Sequence, residues 1–344
     1  MKASERELMV NPRFLARELE ARGVDVEVFD IQEQVLCARK GAHTEMFTDV
    51  LCRLLSAPAS LLAADKMLTK RLLSSAGFST PPGNRFAAVD VHAALECAAR
   101  LGFPVVLKPL KERQGWGVET DIDDVGALEA AIERVCRPSG GSRRSTFLLE
   151  KQVGGVEVRV FVAQSGAWAA VRRQPASVLG DGASSILELA ERESAARSNP
   201  RATCLGPIDV DDAAIRFLRA SGRSPFSVPS AGERVFVLGH VDGSAASVDD
   251  VSDELHPSVA EICWRALEAF PGLPYAGFDV RLYRGIDEPV APHTYSILEV
   301  NTTPALGLHL APGTGRPRNV VGAVVDLIFP ETATEAAKGL RRIQ

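Results

Sequence analysis

Asp279, Glu299 and Asn301 are three oxygen donors set into otherwise apolar, β-branched segments. The segments are Gly277-Phe278-Asp279-Val280-Arg281 and Ile297-Leu298-Glu299-Val300-Asn301-Thr302-Thr303-Pro304. If both are strands, period-two alternation puts Glu299 and Asn301 on one face, with Leu298 and Val300 on the other. Adding Asp279 from a neighbouring strand gives a compact set of hard oxygen ligands. Mg2+ prefers such a set and completes its shell with waters and phosphate oxygens. Any one of the three, read alone, is equally a polar residue at the end of a core strand. The three together, with what lies upstream, carry the metal reading.

Four upstream segments supply the rest of a nucleotide site. Pro104-Val105-Val106-Leu107-Lys108-Pro109 reads as a strand that delivers a lysine at its end, where a flexible point charge can reach phosphate oxygens. Directly after it, Gln114-Gly115-Trp116-Gly117-Val118 pairs two glycines, which let backbone N–H groups approach an anion closely. This is neither a Walker loop nor a dinucleotide-binding G-x-G-x-x-G fingerprint. Leu148-Leu149-Glu150-Lys151-Gln152-Val153 offers backbone groups and a carboxylate to the edge of a purine, and Glu157 follows as an acceptor for ribose hydroxyls. Asp65-Lys66 opens a helix, placing Lys66 near a helix N-terminus where anions are favoured. Each segment also has an ordinary reading, as a solvated lysine, a turn or a charged hairpin.

The elements that must position these residues follow from periodicity. Residues 12–22 form an amphipathic pattern, followed after Gly23 by a strand from Val24 to Phe29. A helix is predicted from Asp65 through Ser75 with Gly77 as its stop, and Pro81-Pro82-Gly83 marks a turn. Val91–Arg100 and Val125–Arg137 read as helices, and Pro104–Lys108, Phe147–Glu150, Glu157–Val162 and Trp168–Arg173 as strands. Further on come helices near 184–196, 211–220 and 257–269, strands near 234–238, 276–282 and 295–300, and a last helix over Val320–Phe329. The fold class is α/β, divided into an N-terminal α/β unit (1–62), a helical connection (63–103), a βαββ lid subdomain (104–175) and a C-terminal mixed-sheet subdomain (176–344).

Composition narrows the function classes. The 344-residue chain is long enough for two or three subdomains, and a formal net charge of −5 argues against a nucleic-acid or anionic-membrane partner. No stretch approaches the ~18 apolar residues of a membrane span, and Met1-Lys2-Ala3-Ser4-Glu5-Arg6-Glu7 lacks the apolar core of a signal peptide. Cys37, Cys52, Cys97, Cys136, Cys204 and Cys263 are widely spaced without a C-x-x-C pair, as expected of reduced core thiols in the cytoplasm.

Taken in order, these segments resemble an ATP-grasp carboxylate–amine ligase over about residues 60–330. Among such ligases the likeness runs to the ATP-grasp module of cyanophycin synthetase and of bifunctional glutathione synthetases. Three longer stretches carry it: Arg173-x-Pro175-Ala176-x-Val178-x-Gly180-Asp181-Gly182, Asp250-Val251-Ser252-Asp253-x-x-His256-Pro257, and His309-x-x-Pro312-x-x-Gly315-x-Pro317-Arg318-Asn319-Val320. The resemblance implies the ATP-grasp fold, ATP, and Mg2+ or Mn2+ as cofactors. Lys66 and Lys108 would bind phosphates under the Gly115-Trp116-Gly117 loop. Glu150, Lys151 and Val153 would meet adenine, Glu157 the ribose, and Asp279, Glu299 and Asn301 the metal.

The implied chemistry is attack of an amino-acid or peptide carboxylate on the γ-phosphate, then displacement of phosphate from the acyl phosphate by an amine. Arg159, Arg173 and Arg281, on strands around the site, are candidates for the carboxylate and the acyl phosphate, because the guanidinium fork pairs with planar anions. Asn199, Arg201, Gly180 and Asp181 are candidates for substrate contacts, while His256 and His309 read as loop caps rather than bases. A homodimer is implied by the resemblance. Cyanophycin synthetase carries further domains for which this chain has no room, so the full polymerising cycle is not expected of it. Trp116 and the Gly239–Ser247 stretch depart from the usual pattern. Alternatives are a partner-dependent ATP-binding scaffold, or a kinase or carboxylase on the same fold.

Overall fold

The computed structural model describes residues 7–110, 118–136, 146–197, 205–238, 246–333 and 340–343. The N-terminal unit comprises α1 (Val10–Ala21), a meander of β1 (Asp25–Asp30), β2 (Val35–Lys40) and β3 (His43–Thr48), and α2 (Ala57–Ala64). After it comes α3 (Lys66–Ser75), capped by Asp65, whose carboxylate accepts from the Met67 and Leu68 N–H groups at 2.9 and 3.0 Å. Those two donors would otherwise have no partner in the first helical turn.

A second unit holds β4 (Gly83–Ala87), α4 (Val91–Leu101), β5 (Val105–Pro109), β6 (Glu119–Ile122), α5 (Val125–Cys136) and β7 (Thr146–Lys151). Its strands form an antiparallel sheet in the order β4-β7-β5-β6. Alternation divides its two faces. Val105, Leu107, Phe147 and Leu149 pack with Ala94, Ala98, Leu128 and Ile132 of the two helices. Val106, Lys108, Leu148 and Glu150 therefore occupy the opposite face.

The remaining elements are β8 (Val156–Ala163), β9 (Ala167–Gln174), β10 (Ser177–Leu179), α6 (Ile186–Arg197), α7 (Asp212–Ala220), β11 (Arg234–Phe236), β12 (Ser247–Asp250), α8 (Pro257–Glu268), β13 (Tyr275–Leu282), β14 (Tyr295–Asn301), α9 (Gly307–Leu310), α10 (Val320–Ile328) and β15 (Arg341–Arg342). The six-stranded sheet runs β12-β9-β8-β13-β14, with β15 on β9. Strands β10 and β11, with α6 and α7, build a small satellite core around Val178, Ile186, Leu218 and Val235.

Strand pairing departs from the expected subdivision in two ways. Strands β8 and β9, expected in the lid, pair with β13 and β12 instead, and β4 joins the lid sheet from upstream of residue 104. The reason is packing: Val158, Val160, Val162, Trp168 and Ala170 need the apolar cover of α8, which the second unit does not provide. The named strand pairs of the large sheet are antiparallel, and a parallel bridge joins Asp249 of β12 to Thr314. Short turns join β8 to β9, so no crossover is required there.

The large sheet is apolar throughout on one face and divided on the other. Even positions of β8 and β13 pack against α8. On the opposite face Phe161, Ala163, Ala167, Ala169 and Tyr275 lie under α1 and α10. Two to six residues away along the same strands, that face turns polar, with Glu157, Arg159, Arg173, Asp279 and Arg281. The site begins where α1 and α10 stop covering the sheet. Among the described residues, no helix is long and apolar enough to cross a membrane. Cys37, Cys52, Cys97 and Cys263 are free, buried thiols, and Cys204 lies outside the described residues.

Candidate active site

Register places the polar residues in rows across three strands. Arg159 of β8, Asp279 of β13 and Glu299 of β14 are consecutive cross-strand partners, as are Glu157 and Arg281. A bulge at Leu298 separates the Asp279–Glu299 pair from the next, Val280–Ile297. A bulge re-aims the side chains beside it. Gly277, opposite Asn301, makes room: a Cβ there would stand 2.9 Å from the Pro304 Cβ and 3.7 Å from the Arg159 Cδ.

Asp279 is 6% exposed and accepts from Arg159 Nε and Nη2, both at 2.6 Å. Burial penalises its charge, but the Arg159 guanidinium overcomes this and holds the carboxyl below the usual range, with Arg173 and the Asn301 amide assisting. Arg159 is correspondingly raised above its ordinary value. Glu157 accepts from Arg281 Nη2 at 2.7 Å and lies 4.0 Å from Arg173 Nη1. Arg281 also donates to the Gly155 carbonyl at 3.2 Å, so Arg173 is the more loosely engaged of the two.

Glu150, 3% exposed, lies on β7 of the lid sheet. One oxygen accepts from Lys70 Nζ at 2.7 Å and the other from Lys108 Nζ. Burial alone would raise the Glu150 pKa, but the two ammonium groups outweigh it and lower it. The Glu299 and Glu157 carboxylates add to the attraction that holds the Lys108 ammonium above its ordinary pKa against the cost of its burial. From the start of α3, Lys66 Nζ stands 3.7 Å from Glu299 Oε1. Six cations (Lys66, Lys70, Lys108, Arg159, Arg173, Arg281) thus share the region with four carboxylates (Glu150, Glu157, Asp279, Glu299). The surplus suits a polyanion.

Lys70 was not anticipated, although it lies four residues after Lys66 and so on the same helical face. The Lys151 side chain is committed to the carbonyls of Gly102 and Phe103 at 3.0 and 2.9 Å, so what it offers a ligand is main chain. Val153 follows β7 and is half-buried. Gly180 and Asp181 belong to a turn of the satellite core. Asp181 accepts from the Ala183 and Ser184 N–H groups at 2.9 and 2.6 Å and from Arg192 at 3.1 Å. A Cβ on Gly180 would meet the Ser230 carbonyl at 2.2 Å. These contacts give both residues a local structural role. Gly115, Trp116, Gly117, Asn199 and Arg201 lie outside the described residues, as do residues 239–245 of the unusual stretch.

The two downstream stretches also have structural roles. Arg318 ties Asp250 at 2.8 Å and Asp253 at 2.7 Å, and His256 caps α8 by accepting from the Ser258 N–H at 3.2 Å. His309 is no loop cap: it is 1% exposed, edge-on to Phe161 at 6.2 Å between ring centroids.

For a divalent cation the donor set fits in kind, with two carboxylates and a carboxamide on adjacent strands. Among the described residues no group of three His, Cys, Asp or Glu side chains is gathered for a metal, so the carboxamide is needed. Both Asp279 oxygens face Arg159, hence Asp279 would join such a set by ceding one guanidinium contact.

This arrangement is the ATP-grasp fold, and over most of its length the chain is similar to larger synthetases. It is 32% identical over 273 residues to a cyanophycin synthetase of Trichormus variabilis, covering 78% of this chain and 29% of that protein. It is 26% identical over 337 residues to the glutathione biosynthesis bifunctional protein GshAB of Desulfotalea psychrophila, covering 97% of this chain and 42% of that protein. The fold matches the bifunctional glutathione synthetase of Pasteurella multocida with a TM-score of 0.73 at 23% identity, over 96% of this chain and 45% of that one. The chain thus spans less than half the length of these relatives. No family model matches it.

Proposed function

We propose that the protein is an ATP-dependent ligase that joins an amino-acid or peptide carboxylate to an amine, releasing ADP and phosphate. The observation that carries this reading is that α3 links two charged edges, with Lys70 bonding the Glu150 that Lys108 also holds and Lys66 standing 3.7 Å from Glu299 of the Arg159–Asp279–Glu299 row. Adenine would lie along Glu150, the Lys151 main chain and Val153, the ribose at Glu157, and the phosphates between Lys66 and Lys108. Asp279, Glu299 and Asn301 would hold the Mg2+ or Mn2+ ion, which supplies charge neutralisation at the phosphate oxygens when bound.

The substrate carboxylate attacks the γ-phosphorus in line, the bond to the β-phosphate oxygen breaks, and ADP leaves. The amine then attacks the acyl carbon, loses a proton, and phosphate leaves. Phosphoryl transfer of this kind depends on positioning and charge stabilisation rather than on a protein nucleophile. Arg173, the loosest of the three guanidiniums, is the first candidate for the acyl phosphate, while Arg159 and Arg281 orient the carboxylates they hold.

The test is a phosphate-release screen of purified protein over pairwise mixtures of amino acids and short peptides, with mass spectrometry of the products. The expected result is ADP formation that requires both a carboxylate and an amine, with an amide product. Turnover without an amine would favour a kinase or carboxylase, and ATP binding without turnover in any mixture would favour a scaffold.

A further inference from the structure

We infer that Lys70 is a positioning residue of this site: it occupies half of the Glu150 carboxylate so that Lys108 stays available to phosphate oxygens. The inference rests on the ATP reading above. Glu150 is buried on β7, and its two oxygens are divided between lysines from different parts of the fold, Lys70 on α3 and Lys108 on β5. Lys70 is itself only 8% exposed and also donates to the Pro81 carbonyl, so its position is fixed from two sides. Gly83 lets the strand after Pro81 lie flush against β7. A Cβ there would stand 2.4 Å from the Leu149 carbonyl oxygen and 2.6 Å from the Glu150 Cβ.

A buried carboxylate needs a compensating charge. Were Lys108 the sole partner of Glu150, a phosphate could recruit its ammonium only by stranding that carboxylate. With Lys70 in place, two ammonium groups meet one carboxylate, so Lys108 can turn to a phosphate without leaving Glu150 uncompensated. The same helical face carries Lys66 one turn earlier, 3.7 Å from Glu299. Helix α3 therefore spans from the base edge of the site to its metal edge and fixes the distance between them.

The test is a double-mutant cycle on Mg-ATP binding, read by calorimetry, with KM for ATP and kcat measured alongside. Lys70→Met is expected to weaken ATP binding and raise KM about tenfold, with a smaller change in kcat, since a charge-assisted contact controls Lys108. In a Glu150→Gln background the same replacement is expected to cost less than about threefold, because the carboxylate through which Lys70 acts is gone. Lys70→Arg, which keeps the charge, should restore most of the affinity. Lys70→Gln keeps a donor for the Pro81 carbonyl and takes the place of the methionine variant in the cycle if that variant does not fold. An equal cost in both backgrounds, or no cost in the wild-type background, overturns the inference. Failure of the wild-type chain to bind ATP at all overturns the underlying reading instead, and with it this one.

Discussion

Arg159 and Asp279 stand directly opposite one another on β8 and β13, 120 residues apart in the chain, joined by two bonds of 2.6 Å. The pair is buried at the point where the sheet face changes from core to site. Both groups are charged because each compensates the other; neither would be tolerated there alone.

Replacing one partner should therefore cost more than replacing both. Arg159→Met is expected to lower unfolding stability by about 3–5 kcal/mol, since it strands a buried carboxylate. Arg159→Met combined with Asp279→Asn should recover at least half of that loss, as read from urea midpoints at constant slope.

Glu299 is placed differently, half-exposed and 3.7 Å from Lys66. Glu299→Gln should leave stability within about 1 kcal/mol of wild type, as is usual for a partly solvated pair. The same change should reduce metal-dependent ADP formation by about a hundredfold or more. Wild-type turnover in this variant would argue against the assignment of Glu299 as a ligand.

The two arginines around Glu157 should separate kinetically. Arg173 approaches Glu157 only to 4.0 Å, whereas Arg281 bonds it at 2.7 Å and the Gly155 carbonyl at 3.2 Å. Arg173→Lys is expected to lower kcat about a hundredfold with little change in KM for ATP, as for loss of a fork that meets charge in the transition state. Arg281→Lys should act mainly on KM for ATP, through the orientation of Glu157.

His309 should give the protein a distinctive acid limb. Burial, reinforced by the nearby Arg159 charge, lowers its pKa to about 3 from the ordinary 6.5, and neither ring nitrogen has a hydrogen-bond partner among the described residues. The unfolded chain therefore binds the proton more readily. Stability contributed by this group is complete above about pH 6.5 and is lost as pH falls toward 3, at a slope approaching about 1.4 kcal/mol per pH unit. In His309→Phe, which keeps a ring against Phe161, the slope between pH 6 and 4 should flatten, with no loss of stability at pH 7. Urea unfolding at a series of pH values measures both.

Much of the site was legible because strand alternation is local. The order Glu157-Val158-Arg159-Val160-Phe161 already assigns Glu157, Arg159 and Phe161 to one face, and the packing of Phe161 with the N-terminal unit agrees. Lys70 also had a local signal, four residues after Lys66 on one helix. The Lys151 side chain had none, because its partners at Gly102 and Phe103 are brought to it by the pairing of β5 with β7. Gly180 and Asp181 look the same in a substrate loop as in a structural turn. Contacts with Ser230, Ala183, Ser184 and Arg192 give them the second role.

By itself, the sequence determined which residues share a face, where helix α3 begins, and which donor types are present, because period and capping depend on neighbours in the chain. Only the tertiary structure decided who stands opposite whom. Cross-strand register between β8, β13 and β14 is set by the packing of α8 on one face and of α1 and α10 on the other, and by the bulge at Leu298. That register turns Asp279 from one of three oxygen donors into one half of a buried pair with Arg159. It leaves Glu299, beside Lys66, as the more accessible carboxylate of the donor set.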